Sequence, residues 1–278
     1  MVDLLGGSDI RELAARLDVV PTKKLGQNFV TDPNTIRRIV AAAKLDGSET
    51  VVEIGPGLGS LTLGLLEVAA KVMAIEIDPK MAAALEDTIA KRAPGKVFTL
   101  IHQDALKLEA LPVEPDALVA NLPYNISVPV LLHFLETFDS ISRGLVLVQA
   151  EVAHRLAAGP GSKVYGVPSA KLAWYADSSL AGNVGRNIFW PVPNVDSALV
   201  YFAKRSEPLG SEELRLKTFA VIDAAFAQRR KTLRQALADF AGSATEAENL
   251  LVSAGINPSD RGEQLDIHAF VKIASAAL

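Results

Sequence analysis

The chain has 278 residues, 49% of them hydrophobic and 22% charged, with a formal net charge of −4. That length suits one large domain or two smaller ones, and the composition excludes a disordered chain, a collagen-like repeat and a coiled coil. There is no cysteine, and the four histidines, His102, His133, His154 and His268, are not closely spaced, so disulfides, thiol chemistry and a metal site are not expected.

The first residues carry Asp and Glu and no long apolar run, which does not fit a signal peptide. Residues 8–18 predict a short helix with Ser8 as its cap. Thr31-Asp32-Pro33 opens a second helix, apolar at Ile36, Ile39 and Val40 and ending near Leu45. The rhythm then changes. Short β-rich runs at 51–55, 71–78, 97–104, 116–121 and 144–149 alternate with helical stretches such as 60–70 and 79–92, the pattern of a mostly parallel α/β sheet. Segments 171–186 and 197–205 predict two further strands, with an antiparallel edge. Ala117 to Leu135 contains no Asp, Glu, Lys or Arg and is long enough to span a bilayer. But Asn121, Pro123, Asn125, Ser127 and Pro129 would leave polar backbone unpaired in lipid, so it reads as a buried strand, a turn and the start of a helix in a soluble protein with no membrane partner. After the linker at 206–213 the pattern is helical, including one long helix over 214–240. The predicted organisation is a sheet domain over 1–205 and a small helical domain over 206–278.

Three motifs carry chemistry. EIGPGLGSLT (53–62) ends the first strand of the sheet pattern; Gly55, Gly57 and Gly59 would let a ligand approach the backbone at a helix N-terminus. Glu76 ends the next strand, about twenty residues further on, where an acidic side chain accepts hydrogen bonds from ribose hydroxyls. The alternative is a tight strand-to-helix turn without a ligand. Because position 60 is Ser, the dinucleotide fingerprint is broken, and the loop resembles instead the S-adenosylmethionine loop of Rossmann-like methyltransferases. Asp104, in HQDAL, reads either as a turn cap or, in register with Glu76, as an acceptor for an adenine amino group; His102 reads as structural.

The third motif, NLPYNIS (121–127), ends the fourth strand, at the sheet edge where such folds bind ligands. It resembles the [DNS]-P-P-[YF] motif of methyltransferases that act on a planar exocyclic amine. An adenine N6 amine is conjugated and a poor nucleophile. The Asn121 side-chain oxygen and a backbone carbonyl near Leu122 or Pro123 can accept its two N–H groups and favour a tetrahedral nitrogen. Pro123 stiffens the turn, and Tyr124 offers a flat face to an unstacked base.

With these motifs the sequence resembles the ribosomal RNA adenine N6-dimethyltransferases, most closely the bacterial 16S branch, over nearly the whole chain. KKLGQNFV (23–30) is similar to the family's N-terminal cofactor segment, which implies that Gln27, Asn28 and Val30 line the methionine side; Leu is usual where Val30 stands. FWPVPNVDS (189–197) resembles its F-x-P-x-P-x-V-D-S signature, which implies that Phe189 packs on the target base opposite Tyr124. AFAQRRKTLRQAL (225–237) and RGEQL (261–265) resemble its later segments, with Ala150 and Gln235 departing where Lys and Asn are usual. The resemblance implies a class I fold, S-adenosylmethionine as cofactor, no metal, and dimethylation of N6 on two adjacent adenosines near the 3′ end of 16S rRNA in a small-subunit assembly intermediate, by a cytoplasmic monomer. Two rivals share the fold: a 23S rRNA adenine methylase, and a binding or transcription factor in which catalysis is secondary. RGEQL and the intact Asn121–Tyr124 motif disfavour them. The run Arg229, Arg230, Lys231 and Arg234 reads as a solvated helix face or as phosphate contacts, Arg229 pointing away from the other three and able to form an internal salt bridge. Lys23 and Lys24 are a second basic candidate. Trp174 and Trp190 read as packing residues.

Overall fold

A computed structural model describes residues 1–18 and 28–278. Gln27, Lys23 and Lys24 lie outside the described residues. The first elements are α1 (Gly7–Arg16), β1 (Phe29–Val30), α2 (Pro33–Ala42), β2 (Thr50–Ile54), α3 (Ser60–Val68), β3 (Lys71–Glu76), α4 (Pro79–Arg92) and β4 (Phe98–His102). They are followed by β5 (Ala117–Asn121), α5 (Ser127–Thr137), β6 (Arg143–Gln149), α6 (Ala150–Leu156), α7 (Val167–Tyr175), β7 (Ala176–Val184), β8 (Phe189–Trp190) and β9 (Ser197–Lys204). The chain closes with α8 (Glu212–Ala227), α9 (Leu233–Ala236), α10 (Ala238–Ala241), α11 (Ala244–Ser253) and α12 (Ile267–Ala276).

Among the described residues, seven strands make one sheet in the order β4-β3-β2-β5-β6-β9-β7. It is parallel from β4 to β6, and β9 returns antiparallel to β6. β2, β3, β5 and β6 are buried almost throughout, which explains their near-continuous apolar runs. Strand order reverses between β2 and β5, and a crevice at the carboxyl ends of strands forms at such a switch point. Helices beside this sheet are started and aimed by capping side chains. Asp32 accepts the Thr35 N–H at 2.8 Å ahead of Pro33, and Asp78 accepts the Lys80 N–H at 2.8 Å ahead of Pro79. At α1 the cap is Gly6 rather than Ser8, because the Asp9 carboxylate takes the Gly6 N–H at 2.7 Å. β1 and β8 form a separate antiparallel ribbon, Phe29 opposite Trp190 and Val30 opposite Phe189.

The chain divides into two compact units, 1–153 with 180–204, and 154–179 with 205–278. This corrects the expected split into consecutive segments 1–205 and 206–278. Residues 154–179 belong with the later helices for an aromatic reason. Trp174 and Tyr175 meet the Phe219 ring edge-on at 6.3 and 6.0 Å, and Tyr165 meets Phe226 at 5.8 Å, which in turn lies 6.1 Å from Phe270. The strand predicted over 171–186 accordingly begins only at Ala176; its first residues complete α7, where Leu172, Trp174 and Tyr175 are buried. The helix predicted over 214–240 is also broken. α8 ends at Ala227, Gln228 leaves helical geometry at φ −126°, and α9 starts afresh. The reason is a competing partner for the backbone: Leu233 N–H goes to Asp260 O at 2.7 Å and Arg234 N–H to Pro258 O at 3.1 Å. No helix among the described residues is long and apolar enough to cross a membrane.

Candidate functional site

A cavity of about 330 Å³ opens at the carboxyl ends of β2, β3 and β5. Its size falls in the range of small-molecule sites, about 300–1,000 Å³. Of the residues singled out in the sequence, it brings together Asn28, Val30, Gly55, Gly57, Glu76, Asp104, Asn121 and Pro123.

The loop after β2 is left-handed at Gly57 and Gly59, with φ +57° and +93°. A Cβ on Gly57 would stand 2.7 Å from Phe29 Cε1, and one on Gly59 would stand 2.6 Å from Leu85 Cδ1. These two glycines therefore make room for the protein's own side chains, from β1 and α4, where the sequence suggested room for a ligand. The Gly57 N–H points at Glu76 Oε2, 3.1 Å away, and the Asp78 N–H at Glu76 Oε1, 2.9 Å away. Glu76 is only 6% exposed, and burial pushes its carboxyl above the usual carboxylate range despite those amides.

Glu53, the residue that opens the glycine motif, received no role from the sequence. It is fully enclosed; burial, with a further push from the Glu76 charge, raises its carboxyl to about 8 against the opposing Thr62 hydroxyl. Its Oε2 and the Ser60 hydroxyl are buried at the cavity without a hydrogen-bond partner. The signal is tertiary: Glu53 is shut off from water because β3 and β5 flank β2 on both sides. Ile77 and Leu106, which also line the cavity, are exposed apolar side chains flanking Glu76 and Asp104. Asp104 caps a turn, its Oδ1 accepting the Leu106 N–H at 3.0 Å at the start of a 3₁₀ turn, and the residue also lines the cavity. His102 Nε2 lies 3.2 Å from Ile77 O, a structural contact.

On the opposite wall, Asn121 ends β5. Its Nδ2 donates to the Asn28 carbonyl at 3.1 Å, which leaves Oδ1 as the atom with acceptor capacity to spare. Leu122 is buried, its N–H bonded to Leu147 O at 3.0 Å. The Pro123 carbonyl already takes the Ile126 N–H at 3.2 Å, so of the two backbone acceptors considered, Leu122 O is the less committed. Tyr124 is half-buried, its phenol oxygen 3.1 Å from Ser197 Oγ, and burial holds the phenol above its ordinary value. Phe189, expected opposite Tyr124, does not line the cavity. It is 2% exposed and packed in the core, because β8 lies across β1 and turns its ring inward. Trp190 stacks on Phe29 at 6.4 Å and Trp174 is buried, both as packing residues.

The basic run lies in the helical unit and does not form a helix face, since 228–232 is a turn. Arg229 is spent internally: its guanidinium donates to Lys163 O and Tyr165 O, each at 2.7 Å, and lies 3.6 Å from Glu263. Arg234 pairs with Glu248 at 2.8 Å while staying about half exposed. Arg230 and Lys231 are exposed and have no ion pair among the described residues.

Comparison with known proteins agrees with this geometry. The family model described as "Ribosomal RNA adenine dimethylase" matches residues 21–277. A protein of Streptomyces coelicolor named ribosomal RNA small subunit methyltransferase A is 61% identical over 274 residues, covering 98% of this chain and 96% of that one. A Corynebacterium efficiens protein of the same name is 56% identical over 276 residues, covering 98% and 96%. Among solved structures, a dimethyladenosine transferase from Plasmodium falciparum shares the fold, with TM-score 0.75, 24% identity and coverage of 88% of this chain and 95% of that one. The 23S rRNA methyltransferase ErmE matches with TM-score 0.64 and 25% identity over 89% of this chain and 98% of its own. A glycine loop at the first core strand, an acid ending the second, an Asn-Leu-Pro-Tyr turn at the fourth and a matched span of nearly the full length lead to one conclusion: this chain belongs to the ribosomal RNA adenine dimethylase family.

Proposed function

We propose that the chain uses S-adenosylmethionine to dimethylate N6 of two adjacent adenosines near the 3′ end of 16S rRNA, on a small-subunit assembly intermediate, acting as a cytoplasmic monomer. The observation that carries this reading is the orientation of Asn121. With Nδ2 held by the Asn28 carbonyl, the side chain presents an acceptor, and an acceptor is what an exocyclic amine needs.

The cavity suits that cofactor on its own evidence. A buried, unpartnered oxygen on Glu53 and the unpartnered Ser60 hydroxyl, beside the buried Glu76 carboxyl, leave polar capacity for a ligand to satisfy. Bound S-adenosylmethionine supplies a methyl group on a positively charged sulfur. In this reading Glu76 keeps lone pairs for the ribose hydroxyls, Asp104 accepts from the adenine amine, and Asn28, Val30, Gly55, Gly57 and Asn121 line the remainder, with Gln27 beside them in sequence. Asn121 Oδ1 and Leu122 O accept the two N–H groups of the target amine and turn its lone pair towards the donor. Pro123 fixes the turn and Tyr124 offers its ring to the base. Phe189 can touch the base only if its apolar cover moves, because its ring is buried. No side chain from Asn121 to Ser127 takes up a proton at neutral pH, so the proton released by the amine leaves to water. Arg230 and Lys231, with Arg234 beside them, are the proposed phosphate contacts; Arg229 is better read as structural. The deciding experiment is mass spectrometry of 16S rRNA from cells with and without this protein. Dimethyladenosine at two adjacent positions should vanish in its absence; persistence of both would overturn the reading.

A further inference from the structure

Where the segment after β8 enters β9, an exposed Asp196 precedes a buried Ser197. Ser197 is 1% exposed, and its hydroxyl lies 3.1 Å from the Tyr124 phenol oxygen. Asp196 Oδ1 accepts the N–H of Arg186 at 3.1 Å, at the start of the 3₁₀ turn that leads directly into Phe189. The Asp196 carbonyl accepts the Ala150 N–H at 2.9 Å, and Ser197 sits opposite Gln149 in the β6–β9 register. Ser197 is therefore fixed by the sheet itself. Tyr124 is not: it lies in the turn between β5 and α5, which is closed by one backbone bond, from Ile126 N–H to Pro123 O at 3.2 Å. A ring on so short a turn keeps rotational freedom unless its polar end is tied down. Its phenol is half-buried, and the bond to Ser197 offsets the cost of that burial.

We propose that Ser197 is a positioning residue for methyl transfer. Its hydroxyl holds the Tyr124 ring at the angle that receives the acceptor base, transmitting the rigidity of the β6–β9 pair to the amine site. This inference rests on the proposed N6 reading, since it gives Tyr124 a base to receive. It also assigns work to the last residue of the P-x-V-D-S stretch, at a separation of 73 residues from the ring it holds.

The test is a double-mutant cycle with Ser197→Ala, Tyr124→Phe and the pair together. The readout is kcat and KM for transfer to under-methylated small subunits, with cofactor affinity by calorimetry and melting temperature measured alongside. Each single variant should lose roughly five- to tenfold in kcat, the size of one net hydrogen bond. The pair should lose no more than either alone, with cofactor affinity unchanged. Independent, multiplying losses would overturn the proposal, as would wild-type kcat in Ser197→Ala. Tyr124→Phe leaves Ser197 in place and keeps the test open if Ser197→Ala folds poorly; wild-type kcat there also overturns it. Asn121→Ala run in parallel separates the failures. If that variant loses transfer while Ser197→Ala does not, only the positioning role falls. If Asn121→Ala transfers normally, the N6 reading and this inference fall together.

Discussion

The two walls of the cavity are built on different principles. The wall from β2 to β4 is acidic and local: Glu53, Glu76 and Asp104 lie at or beside the ends of consecutive strands, and the Glu76 and Asp104 carboxylates take amides from neighbouring turns. The wall from β5 is neutral and assembled from afar. No residue of Asn121–Ser127 carries a charge, and its two polar side chains with defined partners are held across 93 and 73 residues, by Asn28 and Ser197. The difference teaches where charge is useful. Carboxylates suit a ligand that arrives positively charged. A target amine must stay neutral to be nucleophilic, and a carboxylate beside it would favour its protonated form. Dipoles that accept hydrogen bonds activate it without that cost.

The sharpest way to break the comparison is at the neutral wall. Asn121→Ala should keep cofactor affinity and lose about a hundred- to a thousandfold in single-turnover transfer, the usual cost of one positioned polar group. A loss of cofactor affinity instead would mean that the two walls are not separate in function.

At the acidic wall the pattern should invert. Glu76→Ala should weaken S-adenosylmethionine binding by at least about tenfold, since a charge-assisted hydrogen bond contributes about 1.5–3 kcal/mol. The fold should survive. Calorimetric titration checks this, and wild-type affinity would remove Glu76 from the cofactor site.

Glu53 sharpens the comparison through pH. Its carboxyl is raised from 4.5 to about 8 in the folded protein, so between those values the folded state holds a proton that the unfolded chain has released. Its contribution to stability is full below pH 4.5 and is lost as pH rises towards 8, by up to about 1.4 kcal/mol per pH unit. Glu53→Gln, neutral throughout, should therefore gain stability over the wild type as pH rises from 5 to 8. Denaturant unfolding at three pH values measures it; parallel curves for the two proteins would show that Glu53 is not held protonated.

The smallest effect concerns what a neutral amine site lacks, a grip on the RNA backbone. Replacing Arg230 and Lys231 with Gln should flatten the log–log salt dependence of subunit binding by roughly 1.4–1.8, at about 0.7–0.9 per lost phosphate contact. Cofactor affinity should not change. An unchanged slope would leave the run as a solvated turn.

Most of the acidic wall was legible in the sequence. Strand ends, glycine turns and capping acids are short-range features: Glu76 and Asp104 could be placed by counting along alternating strands and helices, and Asp32-Pro33 announced its helix directly. Glu53 was the exception, its burial visible only once β2 lay at the centre of the sheet with strands on both sides. The helical unit was less legible. A periodic apolar pattern over 214–240 predicts one helix, and nothing local reveals that Asp260 and Pro258 will take the amides that break it.

The sequence by itself determined the α/β class, the strands that carry the site and the chemistry of the residues at their ends, because hydrophobic period and capping act within a few residues. Only the tertiary structure decided how those residues are aimed. Asn121 offers its oxygen because a backbone carbonyl from β1's edge takes its nitrogen. Gly57 is kept small by the ring of Phe29, Phe189 is turned into the core by the β1–β8 ribbon, and Arg229 is withdrawn from the surface run by two carbonyls of the 163–165 segment. Each of these contacts joins parts of the chain far apart in sequence. Their geometry is set by packing, which no local pattern records.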